Sequence, residues 1–346
     1  MSISLEELQL AARNHGMPLE ALRHEITPVG LHYLLTHYDI PVVDAADWRL
    51  TVGGRVEREL ELSLGDLRER ETVTAAITME CAGNGRAQLE PHVVSQPWLA
   101  EAVGTAEWTG IRVAPLLAEA GLADDALEVV FTGLDRGVEG GVEQLYERSL
   151  SLADAGSGLL AYACNGEPLP PQHGFPLRLV VPGWYGMTSV KWLQRITVVS
   201  EPFKGYQMVT GYRMRRDEDD PGTPVTRIEP RSLMVPPGIP DFMTRRRFLR
   251  PGPVRLAGRA WSGWGPVERV EVSVDGGAGW TPAQLGDPPG PAAWAPWWLD
   301  WDAPAGEHEL CTRATDATGR SQPAAPPWNV GGYANNAVQR VKLTVG

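Results

Sequence analysis

The stretch Thr78-Met79-Glu80-Cys81-Ala82-Gly83-Asn84-Gly85-Arg86 places a cysteine at the end of an apolar run, inside a glycine-rich loop. Residues 72–77, just before it, are rich in β-branched side chains and predict a strand. The glycines and the asparagine tolerate the backbone angles of a tight loop. The pattern indicates a strand, then an exposed cysteine whose thiolate is open to a ligand. A buried structural cysteine explains this window equally well, because most free cysteines are buried.

The composition favours a β-rich protein of two domains. The chain has 346 residues, more than one core usually holds, and its 38 glycines and 30 prolines indicate many turns. The formal net charge of −12 argues against nucleic acid or an anionic membrane as a partner. No broad basic field exists to offset phosphates, although a local basic pocket could still bind an anion.

The three cysteines, Cys81, Cys164 and Cys311, are far apart and indicate neither a disulfide scaffold nor a zinc cluster. Residues 159–163 predict an apolar strand, so Cys164 is expected to be buried and inert. The charged residues within positions 1–20 leave no apolar run for a signal peptide, and no window reaches transmembrane length. We expect a cytoplasmic protein, or a periplasmic one if a leader has been removed.

Local patterns before and after the cysteine loop predict mainly packing elements. Ser4 and Glu7 have the spacing of a capping box, and Leu5 and Leu8 give the following helix an apolar face that is expected to pack. The histidines at 32 and 37 are best explained, on these residues alone, as hydrogen-bonded core residues. Residues 133–137 read as an acidic loop, which is either a simple turn or a hydrogen-bond acceptor for a ligand.

A second informative stretch spans residues 165–195. It brings His173, Arg178, Ser189 and Lys191 together with glycine and proline corners around a strand at 177–181. Arginine holds an oxyanion through a bidentate fork and lysine holds one as a point charge, so this set is typical of a phosphate site. Neither a P-loop nor a Rossmann fingerprint is present, and a solvated charged loop is the alternative.

The chain changes character from residue 213 to about residue 253, where charge runs and prolines predict a long connecting segment and a domain boundary. We expect domains at 1–215 and 216–346. Beyond the segment, residues 254–261, 267–274, 307–315 and 337–345 alternate like strands and predict an immunoglobulin-like sandwich without its disulfide. A role in support or dimerisation is expected for it.

Four motifs resemble the sulfite oxidase family of molybdenum enzymes. They are Glu80-Cys81-Ala82-Gly83-Asn84, the run His173-Gly174-Phe175-Pro176-Leu177-Arg178-Leu179-Val180-Val181-Pro182-Gly183, Ser189-Val190-Lys191-Trp192-Leu193, and Asn335-Asn336-Ala337-Val338-Gln339-Arg340. The resemblance covers nearly the whole chain. It implies an α+β protein, with a mixed α/β molybdopterin-binding domain followed by an all-β immunoglobulin-like domain through which members commonly dimerise, and without the haem domain of the animal enzymes.

The resemblance also implies roles for individual residues. Cys81 would be the thiolate ligand of molybdenum, which suits a metal already bound by the sulfurs of a molybdopterin. Tyr212, Arg86 and Trp108 would belong to the catalytic pocket. The pterin and its phosphate would be held by Tyr33, Thr36, His37, Asp135, His173, Arg178, Ser189, Val190 and Lys191.

The chain departs from the family pattern where a doubly charged substrate needs arginines. Arg86 matches one of them, but Leu35 and Pro266 stand where two others are expected, and Thr36 replaces an asparagine. Loss of two charges weakens a site that must desolvate a dianion unless other cations replace them. Arg213, Arg215 and the triplet at 245–247 are the candidates in the sequence.

The leading functional prediction is a molybdenum oxidoreductase that performs oxygen-atom transfer. The substrate expected is sulfite or a related small anionic or sulfur-containing molecule, with electrons passed to an external acceptor such as a cytochrome, and a homodimer is possible. One alternative is a reductase of the nitrate or sulfoxide type on the same cofactor. A different class is a hydrolase that uses Cys81 with His173 as its base. A non-enzymatic two-domain binding protein is the third alternative.

Overall fold

Strands far outnumber helices in the computed structural model, which describes residues 3–346. The helices are short: α1 (Leu5–Arg13), α2 (Leu64–Arg68), α3 (Val113–Ala120), α4 (Leu152–Gly156) and α5 (Tyr206–Val209). The strands before residue 225 are β1 (Leu50–Gly54), β2 (Leu60–Leu62), β3 (Val73–Glu80), β4 (Val103–Arg112), β5 (Glu128–Glu139), β6 (Val142–Ser151), β7 (Leu159–Cys164), β8 (Glu167–Pro168), β9 (Arg178–Val180), β10 (Leu193–Val199), β11 (Arg213–Met214) and β12 (Thr223–Pro224). The later strands are β13 (Arg231–Met234), β14 (Ile239–Pro240), β15 (Arg247–Leu249), β16 (Gly252–Trp261), β17 (Val267–Ser273), β18 (Thr281–Pro282), β19 (Gln284–Leu285), β20 (Ala295–Ala303), β21 (Gly306–Asp316) and β22 (Gln339–Val345).

The first half of the chain is built on two sheets. One has the order β2-β1-β10-β5-β6, with β1 parallel to β10. The other has the order β3-β4-β7-β8, with β9 also paired to β7. The strand predicted before the cysteine loop is confirmed and extends to Glu80, so Cys81 is the first residue beyond the edge of its sheet.

Asp135 lies in β5 and not in an acidic loop, so that prediction was wrong. Glycines flank it on both sides, which suggested a turn, but the strand continues through a bulge between Thr132 and Arg136. The bulge interrupts the ladder with β6 at this point.

The second half forms a sandwich of two sheets, as predicted. Strands β13-β16-β20-β19 form one sheet and β14-β15-β22-β21-β17-β18 form the other. Both sheets contribute to one apolar core, which includes Leu256 and Trp297 from the first and Val270, Leu310 and Leu343 from the second.

The prediction that residues 213–253 form a connecting segment was wrong in part, because five short strands, β11 to β15, lie there. The prolines and charged residues of this segment are atypical of strands, so the sequence did not indicate them. Strand β13 is fully buried and pairs with β16. Such short strands carry too few alternating residues to show a period in the sequence.

Helix α1 has the predicted capping box but not the predicted packing. The Ser4 hydroxyl accepts a hydrogen bond from the Glu7 amide at 3.2 Å, and Glu7 accepts one from the Ser4 amide at 2.9 Å. Leu5 and Leu8 are 67% and 53% exposed, whereas Glu7 is the buried residue, 2.9 Å from the His92 ring. The apolar face was therefore misassigned. Within positions 3–346 no helix has the length and apolar character needed to cross a membrane.

Candidate active site

A cavity lies beyond the end of β3, and Cys81 is on its wall. The structure brings eight more of the residues predicted for the site to the same wall, although they come from segments far apart in the chain. These residues are Tyr33, His37, Asp135, His173, Arg178, Ser189, Lys191 and Tyr212. Thr36, Val190, Arg86 and Trp108 are buried but do not line the cavity.

Cys81 is only 6% exposed, so the prediction of an exposed cysteine was wrong. A segment from the second half of the chain lies against the cysteine loop and helps to bury it. The Ala334 backbone amide in this segment donates to the Ala82 carbonyl at 2.8 Å. Burial raises the pKa of the Cys81 thiol, although the Arg86 charge and the Trp98 indole oppose this rise. A metal that binds Cys81 must therefore displace its proton.

Arg86 is fixed beside the cysteine loop. Its Nε donates to the Gly331 carbonyl at 2.8 Å, its Nη1 donates to the Gln96 carbonyl at 3.3 Å, and the guanidinium lies 5.1 Å from the centre of the Tyr333 ring. A Cβ on Gly83 would come within 2.6 Å of this guanidinium, which is why a glycine is required there.

The basic residues of the 165–195 stretch meet at the other part of the wall. Arg178 donates to the carbonyls of His173 at 3.0 Å and Ser189 at 3.2 Å, and Lys191 Nζ donates to the Leu35 carbonyl at 2.8 Å. The Ser189 hydroxyl accepts from the Val181 amide at 3.1 Å. Burial lowers the pKa of Arg178 to about 10 and that of His173 to about 2, the nearby positive charges adding to the effect on His173.

Asp135 and Lys191 both lie on this wall. Burial raises the pKa of Asp135 and lowers that of Lys191, while each charge partly stabilises the other. A Cβ on Gly133 would lie 2.6 Å from Asp135 Oδ1 and 2.7 Å from the Lys191 carbonyl, so the bulged glycine allows the two segments to approach. An anionic ligand would stabilise the charged form of Lys191.

Tyr212 points at the cavity from an unusual backbone conformation, with φ +46°, which costs a bulky side chain roughly 1–3 kcal/mol. Its hydroxyl lies 3.4 Å from His37 Nδ1, and His37 Nε2 lies 3.2 Å from Glu139 Oε2. Glu139 also accepts from the Tyr38 hydroxyl at 2.5 Å. His37 is therefore the hydrogen-bond partner of Tyr212 and Glu139 as well as a wall residue.

Trp108 lies behind the wall. Its ring is 0% exposed and packs against the Arg178 guanidinium at 4.8 Å from the ring centre. Trp98 and Trp108 both belong to the apolar cluster that contains Cys81. The place predicted for Trp108 in the catalytic pocket stays a prediction.

The cavity suits a large polar anionic group. Several buried polar atoms around it lack a hydrogen-bond partner, namely His32 Nε2, Thr36 Oγ1, Asp135 Oδ1 and Arg178 Nε. Buried polar groups without partners cost free energy, which a ligand with both donors and acceptors would recover. A pterin offers such groups, and a phosphate suits Arg178 and Lys191.

Five residues near the cavity were given no role in the site from the sequence. His32 and Tyr146 lie on the wall, while Trp98, Arg148 and Tyr333 lie close behind it. Only His32 carried a signal, as a histidine in an apolar segment.

The cations named from the sequence as substitutes for the missing arginines do not line the cavity. Arg213 donates to the carbonyls of Pro221 at 2.6 Å and Gly222 at 2.7 Å, and Arg215 donates to the Val209 carbonyl at 3.2 Å. Arg245 is largely exposed and pairs with Glu20 at 3.4 Å.

Comparison with known families agrees with this arrangement. The family described as "Oxidoreductase molybdopterin binding domain" matches residues 37–207, and "Mo-co oxidoreductase dimerisation domain" matches residues 228–346. Fold and site thus define a molybdopterin-binding oxidoreductase that carries a dimerisation domain.

Individual relatives indicate which family of molybdopterin oxidoreductases this chain resembles. Sulfite oxidase of Gallus gallus is 38% identical over 350 residues, which is 94% of this chain and 75% of that protein. Mitochondrial sulfite oxidase of Mus musculus is 37% identical over 341 residues, 92% of this chain and 62% of that protein, so the chain spans less than two thirds of this relative. The crystal structure of the sulfane dehydrogenase SoxCD from Paracoccus pantotrophus is 30% identical with a TM-score of 0.81, covering 94% of this chain and 82% of that chain. The chain belongs to the sulfite oxidase family of molybdopterin-dependent oxidoreductases, and the predicted fold class and cofactor are confirmed.

Proposed function

We propose that this chain binds molybdenum–molybdopterin with Cys81 as the protein ligand of the metal and oxidises a small sulfur compound, sulfite or a close relative. The observation that carries the proposal is the cavity itself. It joins the Cys81 thiol to Arg178, Lys191 and Ser189, which lie about a hundred residues further along the chain. When bound, the molybdenum centre supplies oxygen-atom transfer and takes up two electrons, which leave to an external acceptor such as a cytochrome.

The basic residues of the 165–195 stretch, together with their neighbours on the cavity wall, would hold the cofactor. Arg178 is buried and Lys191 is half-buried, and both carry donors that suit a phosphate. His173 stays neutral because burial and the nearby charges of Arg178 and Lys191 depress its pKa, so it offers a neutral imidazole to the pterin. We assign the same role to Tyr33, Thr36, His37, Asp135, Ser189 and Val190.

Oxidation of sulfite to sulfate takes an oxygen atom from water and releases two electrons, which pass to the acceptor, and two protons. Side chains of this chain offer the protons a route to the surface. Tyr212 faces the cavity, His37 bridges it to Glu139, and Glu139 is 30% exposed. A proton released beside Tyr212 would therefore pass through the imidazole to a carboxylate at the surface.

The hydrolase alternative fits the site poorly. A nucleophilic cysteine needs a depressed pKa and a base poised to take its proton. Burial instead raises the pKa of Cys81, and it lowers that of His173 to about 2. Both shifts favour the neutral thiol.

The Cys81→Ser variant tests the proposal. Wild-type protein made in a host that synthesises molybdopterin should contain molybdenum and reduce cytochrome c with sulfite. The variant should lose sulfite oxidation almost completely, because a serine hydroxyl is a poor ligand for a metal bound by sulfur. Metal analysis and the sulfite assay are the measurements.

Cys164→Ser is the matched control, because Cys164 is also buried but does not line the cavity. It should retain metal and activity. Normal turnover by Cys81→Ser would refute the thiolate role. Faster turnover of nitrate with a reduced dye than of sulfite would instead favour the reductase alternative.

We further propose that the chain forms a homodimer through residues 216–346, after a domain boundary at 215/216. The dimerisation family matches residues 228–346, within this proposed domain. A monomer by analytical ultracentrifugation would contradict the dimer. The free thiols of Cys81, Cys164 and Cys311 support a reducing compartment, the cytoplasm, and recovery of the protein in a periplasmic fraction would contradict it.

A further inference from the structure

Arg148 is a buried cation close to the tyrosines beside Cys81. It lies on β6 opposite Phe131 and is 3% exposed. One guanidinium nitrogen donates to the Gln207 carbonyl, whereas Nε has no hydrogen-bond partner. The ion pairs formed between positions 3 and 346 include neither Arg148 nor Arg86.

Arg86 and Arg148 lie at the two ends of a tyrosine pair. The Arg86 guanidinium is 5.1 Å from the Tyr333 ring, the Tyr333 and Tyr212 rings are 5.3 Å apart, and the Arg148 guanidinium is 5.6 Å from the Tyr212 ring. Tyr212 and Tyr146 line the cavity that contains Cys81. The titratable groups closest to Arg148 are the neutral phenols of Tyr146, Tyr212 and Tyr333, and none of the carboxylates described from residue 3 onward forms an ion pair with it.

Two buried cations without counter-ions are costly unless an anion arrives. We propose that Arg148, together with Arg86, supplies the positive charge that binds a small divalent sulfur oxyanion beside Tyr212. In this interpretation Arg148 replaces the arginines that the family pattern has at the positions of Leu35 and Pro266. It is a specificity-determining residue that acts behind Tyr212, and the proposal rests on the proposed function for the identity of the anion.

The test is sulfate binding by the molybdenum-loaded protein, measured by calorimetry, together with sulfite kinetics. Arg148→Gln should weaken sulfate binding by about 10- to 100-fold, the loss expected when a dianion in a partly buried site loses the attraction of one nearby cation. The KM for sulfite should rise by a similar factor while kcat changes little. Binding of monovalent nitrate should weaken less than that of divalent sulfate, because the interaction scales with the charge of the anion.

Two variants separate lost charge from lost structure. Leu35 lies on the cavity wall, so Leu35→Arg in the Arg148→Gln background should restore sulfate affinity at least in part. Arg136→Gln removes an arginine that is 66% exposed and pairs with Glu143 at 3.1 Å, and it should leave sulfate binding unchanged.

An unchanged sulfate Kd in folded Arg148→Gln would overturn the proposal. If that variant does not fold, Leu35→Arg in the wild-type background decides. A change in sulfate affinity below about threefold supports the proposal, because the charge of the site is then already complete. A gain in sulfate affinity of about tenfold or more overturns the proposal. Sulfate binding that depends on Arg148 in a protein that does not oxidise sulfite would refute the proposed function and leave this inference standing.

Discussion

His32 shows how the site constrains a single residue. Its imidazole Nδ1 lies 3.0 Å from the Tyr33 carbonyl, and its ring meets the rings of Trp108 and His173 edge to face. Burial, together with the Arg178 charge, lowers the pKa of His32 to about 4. The folded protein therefore keeps this ring neutral under conditions where an unfolded chain would protonate it.

Stability of the metal-free protein should fall as the solution is acidified. The folded pKa of His32 lies below the unfolded value of about 6.5, so its contribution is complete above pH 6.5 and is lost progressively toward pH 4. Between pH 7.5 and pH 5 this loss is about 2 kcal/mol. In urea unfolding, the fall in unfolding free energy between these two pH values should be smaller by that amount in His32→Gln than in wild type. A variant of the exposed His24 should show the same fall as wild type. Equal losses in wild type and His32→Gln would disprove the prediction.

The place of a residue on the cavity wall was predictable where the residue stands in a recognisable motif. Cys81 and Lys191 stand in such motifs, and both line the cavity. Arg148 and Tyr333 stand in segments with no such motif, and their proximity to the cavity depends on strand β6 and on a contact between distant parts of the chain. Nothing local marks them.

The segment at 329–336 is the element that shapes the cysteine loop. The Asn335 amide donates to the Gly85 carbonyl at 2.7 Å, and the Gly331 carbonyl accepts from Arg86. The sequence predicts no helix or strand here, and the structure has none. What the pattern could not show is that an irregular segment covers a loop some 250 residues away.

Asn335→Ala should loosen the cysteine loop. The buried Gly85 carbonyl would lose the Asn335 side-chain donor and keep only the Gln88 amide at 3.0 Å, which costs about 0.5–1.5 kcal/mol of stability, and bound molybdenum should be lost faster during dialysis. Thermal unfolding and metal analysis are the measurements.

Asn165→Ala is the comparison, because Asn165 also bonds to two backbone groups, Glu107 N and Thr27 O. It should cost stability without faster loss of metal. The same metal retention in both variants would contradict a role of Asn335 at the loop.

On the scale of the whole molecule, a buried ion pair joins the two halves. Glu80 ends β3 and Arg231 begins β13, and their side chains lie 2.7 Å apart with almost no exposure. Trp261 Nε1 and Asn84 Nδ2 also donate to the Glu80 carboxylate, at 2.8 and 3.0 Å. The two-part organisation was predictable from the change in composition near residue 213. The ion pair between the halves was not predictable, because neither the sequence around Glu80 nor that around Arg231 indicates the contact between them.

Arg231→Met should destabilise the protein by about 3–5 kcal/mol, because it leaves the Glu80 carboxylate buried without its cation. Burial already raises the pKa of Glu80 in spite of Arg231. The double variant Glu80→Gln, Arg231→Met should recover part of this loss, since it removes both charges. Urea unfolding of the two variants decides, and additive losses would rule out the coupling.

The contact of Tyr333 with Arg86 and Tyr212 limits how this architecture can be recombined. The family match that covers Tyr333 is the dimerisation domain, yet the tyrosine packs against the catalytic half. A chimera that joins this catalytic half to the dimerisation half of a relative would exchange the side chain that packs against Arg86 and Tyr212 along with the dimerisation domain. Exchange of the dimerisation domain therefore also changes the packing around Arg86 and Tyr212, and the two halves are not interchangeable modules.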